Sequence, residues 1–164
     1  MSASPVIGVV GWKNSGKTTL VERLVAEFVR RGWRVATVKH AHHEAEIDQP
    51  GRDSWRHRAA GAREVALVTG QRYAIMHEAE AEPALGEVLG RLAPADLVLV
   101  EGFKREPHAK IEVRGGTGES IAAADKHVVA IAADAQPSDT QLPWFRRDDV
   151  GSLADFIARH IGRA

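Results

Sequence analysis

The sequence contains no cysteine among its 164 residues. This absence excludes disulfide bonds, thiolate nucleophiles, iron–sulfur clusters and every zinc site that needs a cysteine ligand. The sequence also lacks net charge, because 22 lysine and arginine residues balance 22 aspartate and glutamate residues. Such a balance argues against general binding to nucleic acid or to a membrane surface. Any anion must therefore be bound by a local arrangement of donors.

Long hydrophobic runs are missing as well. No stretch approaches the roughly 18 apolar residues that a bilayer-spanning helix needs. The first residues lack the basic segment and the apolar length of a signal peptide. We therefore expect a cytoplasmic protein, with one domain over residues 1–164 and no internal linker.

Segments typical of strands and helices alternate along the chain. We expect strands at 5–10, 33–39, 65–69, 72–77, 96–100, 109–113 and 127–132, and helices at 17–31, 53–62, 83–92 and 152–161. This alternation predicts a three-layer α/β fold with a mainly parallel sheet. Gly70 and Gln71 form a plausible tight turn, which would make the strands on either side an antiparallel hairpin extension.

The strongest motif is Gly-Trp-Lys-Asn-Ser-Gly-Lys-Thr at residues 11–18. It matches the phosphate-loop pattern G-x-x-x-x-G-K-[ST] between a strand and a helix, which predicts a P-loop NTPase fold. Glycines let successive N–H groups converge on one anion, and the helix directs its positive end at the same point. Lys17 is expected to reach the β- and γ-phosphates, and the Thr18 hydroxyl to ligate Mg²⁺. The candidate nucleotide-binding residues of the loop are Gly11, Lys13, Asn14, Ser15, Gly16, Lys17, Thr18 and Thr19. For Lys13, a solvated loop lysine is the alternative.

A carboxylate follows the apolar strand that begins near Asp96. Glu101 would emerge at the carboxyl end of this strand, beside the phosphate site. We expect it to act on Mg²⁺ or on the attacking water, directly or through a water molecule. Lys17 and Glu101 are therefore the catalytic candidates, and an ordinary strand-end carboxylate is the alternative reading of Glu101.

A polar loop rich in histidine follows the strand at 33–39. His42 and its neighbours His40 and His43 are candidates for contact with nucleotide or another anion, with zinc binding and a solvated loop as alternatives. Nucleotide switches usually lie at this place in the fold, so Asp48 is a candidate second carboxylate for Mg²⁺.

Several segments together resemble one family. They are Gly-Trp-Lys-Asn-Ser-Gly-Lys-Thr-Thr at 11–19, Val-Lys-His-Ala-His-His at 38–43, Asp-Gln-Pro-Gly-Arg-Asp-Ser at 48–54, Arg-His-Arg-Ala-Ala-Gly-Ala at 56–62 and Leu-Val-Leu-Val-Glu-Gly-Phe-Lys at 97–104. They are similar to the MobB family of molybdopterin-guanine dinucleotide biosynthesis adaptor proteins, nearly from end to end.

This resemblance implies a homodimeric GTP-binding adaptor with weak GTPase activity at most. It would assist a MobA-type guanylyltransferase that joins GMP to molybdopterin. Gly16, Lys17, Thr18 and Glu101 would form the GTP–Mg²⁺ site. Lys104 and Arg105 would be placed to face the phosphates or the molybdopterin.

Guanine preference is implied by the resemblance alone, since the sequence has no Asn-Lys-x-Asp element. Asp134 is a candidate for accepting hydrogen bonds from guanine, and a helix cap or loop carboxylate is the alternative. A small-molecule kinase and a metal-delivery GTPase are the other functions considered, although the latter usually has cysteine near its metal. For the homodimer, the strand at 72–77 is a candidate contact edge.

Overall fold

A computed structural model describes residues 4–41, 47–116 and 118–163. The chain divides into two compact units, residues 1–40 with 88–164, and residues 41–87. The elements in chain order are β1 (Val6–Val10), α1 (Lys17–Arg30), β2 (Val35–Lys39), α2 (Asp53–Ala59), β3 (Glu64–Val68), β4 (Tyr73–His77), α3 (Leu85–Arg91), β5 (Leu97–Glu101), β6 (Lys110–Arg114), β7 (Val128–Ala133), β8 (Trp144–Arg146) and α4 (Val150–His160). Among the described residues, no helix is both long and apolar enough to cross a membrane. The expectation of one domain over 1–164 stays a prediction.

The first unit is built on a six-stranded sheet in the order β2-β5-β1-β6-β7-β8. Each neighbouring pair is parallel. Strands β1 and β5 are central and almost wholly apolar, as parallel strands covered on both faces should be. Because all six strands run in one direction, the loops that follow β1, β2, β5 and β7 emerge at the same edge of the sheet.

The main core lies where α1 and α4 pack together on one face of this sheet. Helix α1 buries one apolar stripe, with residues at helical spacing. The fully or nearly fully buried members of the core are Ile7, Val9, Leu20, Leu24, Phe28, Leu97, Leu99, Ile111, Val113, Ala130, Ala132, Leu153, Ala154 and Ile157. This core fixes α1 against the sheet and therefore fixes the position of its amino terminus.

The opposite face of β6 buries charged side chains. Lys110 and Glu112 are 0% and 1% exposed. Nζ of Lys110 lies 2.8 Å from a carboxylate oxygen of Asp125. The Glu112 carboxylate accepts hydrogen bonds from the N–H groups of Ile121 and Ala122 at 2.9 and 3.0 Å. Burial of charge is costly unless partners are supplied, and both groups have them.

The second unit contains α2 and the hairpin of β3 and β4. The two strands are antiparallel, with Ala66 opposite Ile75 and Val68 opposite Tyr73. Helix α2 begins at Asp53 after Arg52, which occupies the N-cap position without a side-chain hydrogen bond. Asp53 therefore lies in the first turn of α2, where the positive end of the helix dipole stabilises its carboxylate.

The expected fold class is confirmed: the fold is α/β, with a parallel sheet and an antiparallel hairpin extension. Most element bounds agree with the predicted ones within two or three residues. Strand β8 was not predicted, because its three residues follow Pro143 and carry no alternation long enough to read.

Candidate nucleotide-binding site

The phosphate loop joins β1 to α1 and needs unusual backbone angles. Asn14 and Gly16 have positive φ angles of 62° and 95°. Gly11 is also constrained, because an added Cβ would lie 2.5 Å from Oγ of Ser15 and 2.6 Å from the carbonyl oxygen of Val113. These two glycines therefore permit the turn and the close approach of backbone that the motif requires.

No side chain of α1 itself places a negative charge at the amino terminus of this helix. Gly16 is the N-cap, no side chain caps it, and no acidic residue lies in the first turn. Helix N–H groups at this end have no intrahelical partners, and the helix dipole makes them favourable to an anion. This end of α1 is thus available to a phosphate group.

Lys17 is the first residue of α1 and lies over the loop. Its ammonium group donates a hydrogen bond to the carbonyl oxygen of Trp12 at 2.8 Å. Burial lowers the pKa of Lys17, Glu101 opposes that effect, and repulsion from Lys104 and Lys39 lowers the pKa further. Three cationic side chains therefore approach one carboxylate, which is an arrangement that suits an additional anion.

Thr18 and Glu101 meet although they are 83 residues apart in sequence. The Thr18 hydroxyl donates to Oε1 of Glu101 at 2.9 Å. Nζ of Lys39 lies 3.5 Å from the same oxygen, and Glu101 is 8% exposed. The carboxyl end of β5 thus brings a hydroxyl and a carboxylate together beside the phosphate loop.

The chain bends sharply after Glu101. Gly102 and Phe103 have positive φ angles of 98° and 48°. The N–H of His40 donates to the carbonyl oxygen of Glu101 at 2.8 Å, and the rings of His40 and Phe103 stack at 4.5 Å. Positive φ is uncommon for a residue with a side chain, so packing must hold Phe103 in place. These contacts fix the backbone that presents Glu101.

The donor types in this arrangement fit a phosphate and a magnesium ion. Oγ of Ser15 is buried and has no hydrogen-bond partner among the described residues, although buried hydroxyls normally have one. Thr18 and Glu101 offer two hard oxygen ligands, and Mg²⁺ in phosphate sites typically takes only one or two from the protein. The residues present therefore fit both groups.

Trp12 and Lys104 lie at the rim of the loop and were not singled out as a pair in the sequence. Nζ of Lys104 is 4.4 Å from the centre of the Trp12 ring. The Trp12 indole N–H donates to the carbonyl oxygen of Glu119 at 2.7 Å. Lys13 and Thr19 are exposed on the same loop and helix, and their contact with nucleotide stays a prediction.

Asp134 follows β7 and is bound by an arginine of the chain itself. Nε of Arg147 donates to its carboxylate at 2.7 Å, and Nη2 donates to the other oxygen. Hydrogen bonds from Arg147 hold the pKa of Asp134 below its usual range. The same guanidinium donates from Nη1 to the carbonyl oxygen of Ser15 at 2.9 Å. The role of Asp134 in guanine binding stays a prediction, and Arg147 is a residue that sequence reasoning missed.

Asp48 belongs to the second unit, whereas His40 belongs to the first. Asp48 accepts a hydrogen bond from the Ser54 hydroxyl at 2.8 Å, and Nε of Arg58 lies 3.5 Å from its other oxygen. Its role as a magnesium ligand stays a prediction. His42 and His43 lie outside the described residues. Within the described part of the chain, no group of three or more histidine, aspartate or glutamate side chains could hold a metal ion.

These features define the class: an α/β protein with a phosphate-loop sequence between its first strand and first helix. The family model described as molybdopterin guanine dinucleotide synthesis protein B matches residues 6–134. The chain therefore belongs to the MobB family of molybdopterin-guanine dinucleotide biosynthesis adapter proteins.

Individual relatives agree with this membership over nearly the whole chain. The molybdopterin-guanine dinucleotide biosynthesis adapter protein of Escherichia coli is 38% identical over 160 residues, covering 93% of this chain and 91% of the relative. The protein of the same name from Haemophilus influenzae is 37% identical over 156 residues, covering 93% and 87%. A crystal structure of molybdopterin-guanine biosynthesis protein B has a TM-score of 0.76 at 28% identity, covering 94% of this chain and 99% of that one. Bacillus subtilis MobB has a TM-score of 0.75 at 29% identity, covering 94% and 96%.

Proposed function

We propose that this adapter protein binds GTP with Mg²⁺ and assists a MobA-type guanylyltransferase that attaches GMP to molybdopterin. The observation that carries the proposal is the meeting of the Thr18 hydroxyl and the Glu101 carboxylate at 2.9 Å beside the phosphate loop. A hydroxyl and a carboxylate at these places are the usual protein ligands of Mg²⁺ in phosphate-loop proteins. We propose a cytoplasmic location for this activity.

The chain's own residues would bind the nucleotide by its phosphates. The loop backbone from Gly11 to Gly16 and the amino terminus of α1 would donate N–H groups to the phosphate oxygens. Lys17 would exchange its hydrogen bond with the Trp12 carbonyl for contact with the β- and γ-phosphates. Thr18 and Glu101 would hold Mg²⁺, which neutralises phosphate charge when it is bound.

We propose that hydrolysis is slow and that binding is the main role of the site. The resemblance to the adapter family supports this view. Among the described residues, the Glu101 carboxylate contacts the Thr18 hydroxyl and the Lys39 ammonium group, and neither of these side chains is a base suited to activating water. Turnover by the purified protein alone should stay far below the roughly 1–100 per second typical of kinases.

Calorimetric titration of GTP and ATP, each with Mg²⁺, tests the nucleotide site. Lys17→Ala should weaken GTP binding by about 100-fold or more, because it removes a charge-assisted contact with phosphate. Lys126→Ala is the matched control, since Lys126 is an exposed lysine before β7, at the opposite edge of the sheet. Equal affinity of wild type and Lys17→Ala would contradict the proposal, and equal affinity for GTP and ATP would contradict the guanine preference.

The role as an adapter is tested with a MobA-type guanylyltransferase, GTP and molybdopterin. Wild-type protein should increase formation of the dinucleotide, whereas Lys17→Ala should not, because it would no longer hold the nucleotide. Stimulation by both proteins to the same extent would separate assistance from nucleotide binding and contradict this part of the proposal.

We also propose a homodimer in which the hairpin contacts a second copy of the chain. Ala66, Val68, Tyr73 and Ile75 share one face of the hairpin because each strand contributes alternate residues. Val68 and Tyr73 are both 72% exposed, and Ile75 is 61% exposed. An exposed apolar face beside open strand edges is typical of a protein–protein contact. The family resemblance implies a homodimer, so a second copy of the chain is the partner that this face would contact.

Sedimentation velocity tests this contact. Ile75→Glu should convert the dimer to a monomer, because it places a charge in the centre of the apolar face. Leu67→Glu is the control, since Leu67 is 52% exposed but lies on the other face of the same hairpin. A monomeric wild type, or loss of the dimer in both variants, would contradict the proposed face.

A further inference from the structure

Arg147 comes directly after the edge strand β8 and contacts the phosphate loop through a hydrogen bond. Its Nη1 donates to the carbonyl oxygen of Ser15 at 2.9 Å across 132 residues of sequence. Its Nε and Nη2 donate to the two carboxylate oxygens of Asp134, one to each. The Arg147 side chain is 30% exposed, whereas that of Asp134 is 69% exposed. The guanidinium is therefore the better shielded partner, held between a carboxylate and the loop.

Two glycines make room for this guanidinium. A Cβ added at Gly115 would collide with Nη1 of Arg147 and lie 2.6 Å from the carbonyl oxygen of Ser15. A Cβ added at Gly16 would lie 3.0 Å from the same nitrogen. The contact thus depends on glycine at position 115, where backbone as well as side chain would be hit, and a side chain at position 16 would crowd it. Gly16 is already required by the phosphate-loop motif, but no motif accounts for Gly115.

The peptide plane explains what this hydrogen bond does. The carbonyl of Ser15 and the N–H of Gly16 belong to one rigid peptide unit and point in opposite directions. Because Arg147 holds that carbonyl, it also fixes the N–H of Gly16 in the direction that points away from the guanidinium. An N–H at this place is one of the donors expected to bind phosphate.

We propose that Arg147 is a positioning residue for the phosphate loop, and that Asp134 acts through Arg147 rather than by reading the base. This inference rests on the proposed nucleotide binding. Arg147 fixes the direction of one phosphate-binding N–H without touching the nucleotide. Asp134 keeps the guanidinium in the orientation that reaches Ser15, because its two oxygens accept from two donors of the planar fork.

The proposal predicts a specific order of effects on affinity. Arg147→Ala should weaken binding by about tenfold, the size expected for loss of one charge-assisted hydrogen bond that orders the site. Arg147→Lys should retain part of the affinity, since an ammonium group can reach the Ser15 carbonyl or Asp134 but cannot bridge both as a fork. Asp134→Ala should have a smaller effect, and the double variant should be no weaker than Arg147→Ala.

Calorimetry with two probes, Mg-GTP and Mg-pyrophosphate, tests this order at a temperature where thermal melts show every variant to be folded. Arg146→Ala is the matched control, because the neighbouring guanidinium pairs with exposed Asp148 at 3.1 Å. The loss in Arg147→Ala should be equal for both probes, since the loop binds the phosphates they share. If Arg147→Ala does not fold, Arg147→Lys and Asp134→Ala provide the same comparison.

Each alternative gives a different result. Unchanged affinity in Arg147→Ala, or an equal loss in Arg146→Ala, would overturn the inference while leaving the proposed function intact. A loss in Asp134→Ala for Mg-GTP but not for Mg-pyrophosphate would overturn the role of Asp134 and support base reading. Failure of the wild type to bind either probe would overturn the proposed nucleotide binding itself, and the inference with it.

Discussion

Lowering the pH should destabilise the protein through one histidine, His108. Both of its ring nitrogens are buried without a hydrogen-bond partner among the described residues. Burial lowers the pKa of His108 to about 4, and nearby Lys110 and His127 act in the same direction against Asp125. The ring is therefore neutral in the folded protein at a pH where an unfolded chain would already protonate it.

The sign and size of the effect follow from this difference. An ordinary histidine has a pKa near 6.5, so between that value and about 4 the unfolded state binds more protons than the folded state. The free energy of unfolding then falls as the pH falls. The linkage relation gives an upper limit of about 2.5 kcal/mol for the loss between about pH 7.5 and about pH 4.5, and solvent screening of the half-enclosed ring reduces it to roughly 1–2 kcal/mol.

Urea denaturation across this pH range measures the effect, with His108→Gln as the perturbation. The variant cannot gain a proton, so its free energy of unfolding should change much less over the same interval. His57→Gln is the control, because His57 lies exposed on α2, and it should keep the wild-type slope. Parallel curves for wild type and His108→Gln would refute the assignment of this pH dependence to His108.

Two further predictions concern buried positions near the same sheet. Lys110→Met should destabilise the fold by about 3 kcal/mol in urea denaturation, since it leaves Asp125 without its charged partner. The double change with Asp125→Asn should recover part of that loss, and no recovery would contradict the pairing. Gly102→Ala should cost more than Gly61→Ala in the same assay, although both glycines have positive φ. An added Cβ at Gly102 would lie 2.8 Å from Cβ of His40, whereas Gly61 has nothing within 4 Å, so equal losses would contradict a steric cause.

The fold could be predicted for those segments whose own residues indicate a strand or a helix. Strands β1 and β5 are short apolar runs between turn residues, and α1 has a clear apolar stripe before Gly32. These signals are local, so each bound was placed within two or three residues. Strand β8 has only the three residues Trp144–Arg146. It is a strand because β7 lies beside it, and its own sequence does not indicate this.

The candidate site likewise has a part that could be predicted from local sequence and a part that could not. The phosphate loop is contiguous in sequence, and Glu101 could be placed because parallel strands end at one edge of the sheet. The contact between Thr18 and Glu101 at 2.9 Å agrees with that reasoning. Arg147 could not be found, because its contact with Ser15 depends on a strand that has no sequence signal. Because the short edge strand β8 was not predicted, the contact that Arg147 makes with the phosphate loop was missed as well.

The zero net charge of the chain conceals a strongly uneven local charge. Lys17, Lys39 and Lys104 are close enough that the last two lower the pKa of the first, and Glu101 is the carboxylate that opposes them. Arg147 adds a further cation at the loop, but Asp134 neutralises it at the point of contact. The positive charge left to attract a phosphate therefore belongs to the lysines and the end of α1, while Arg147 is electrically balanced. This balance is why Arg147 is better explained as a residue that orients the loop than as one that binds the anion.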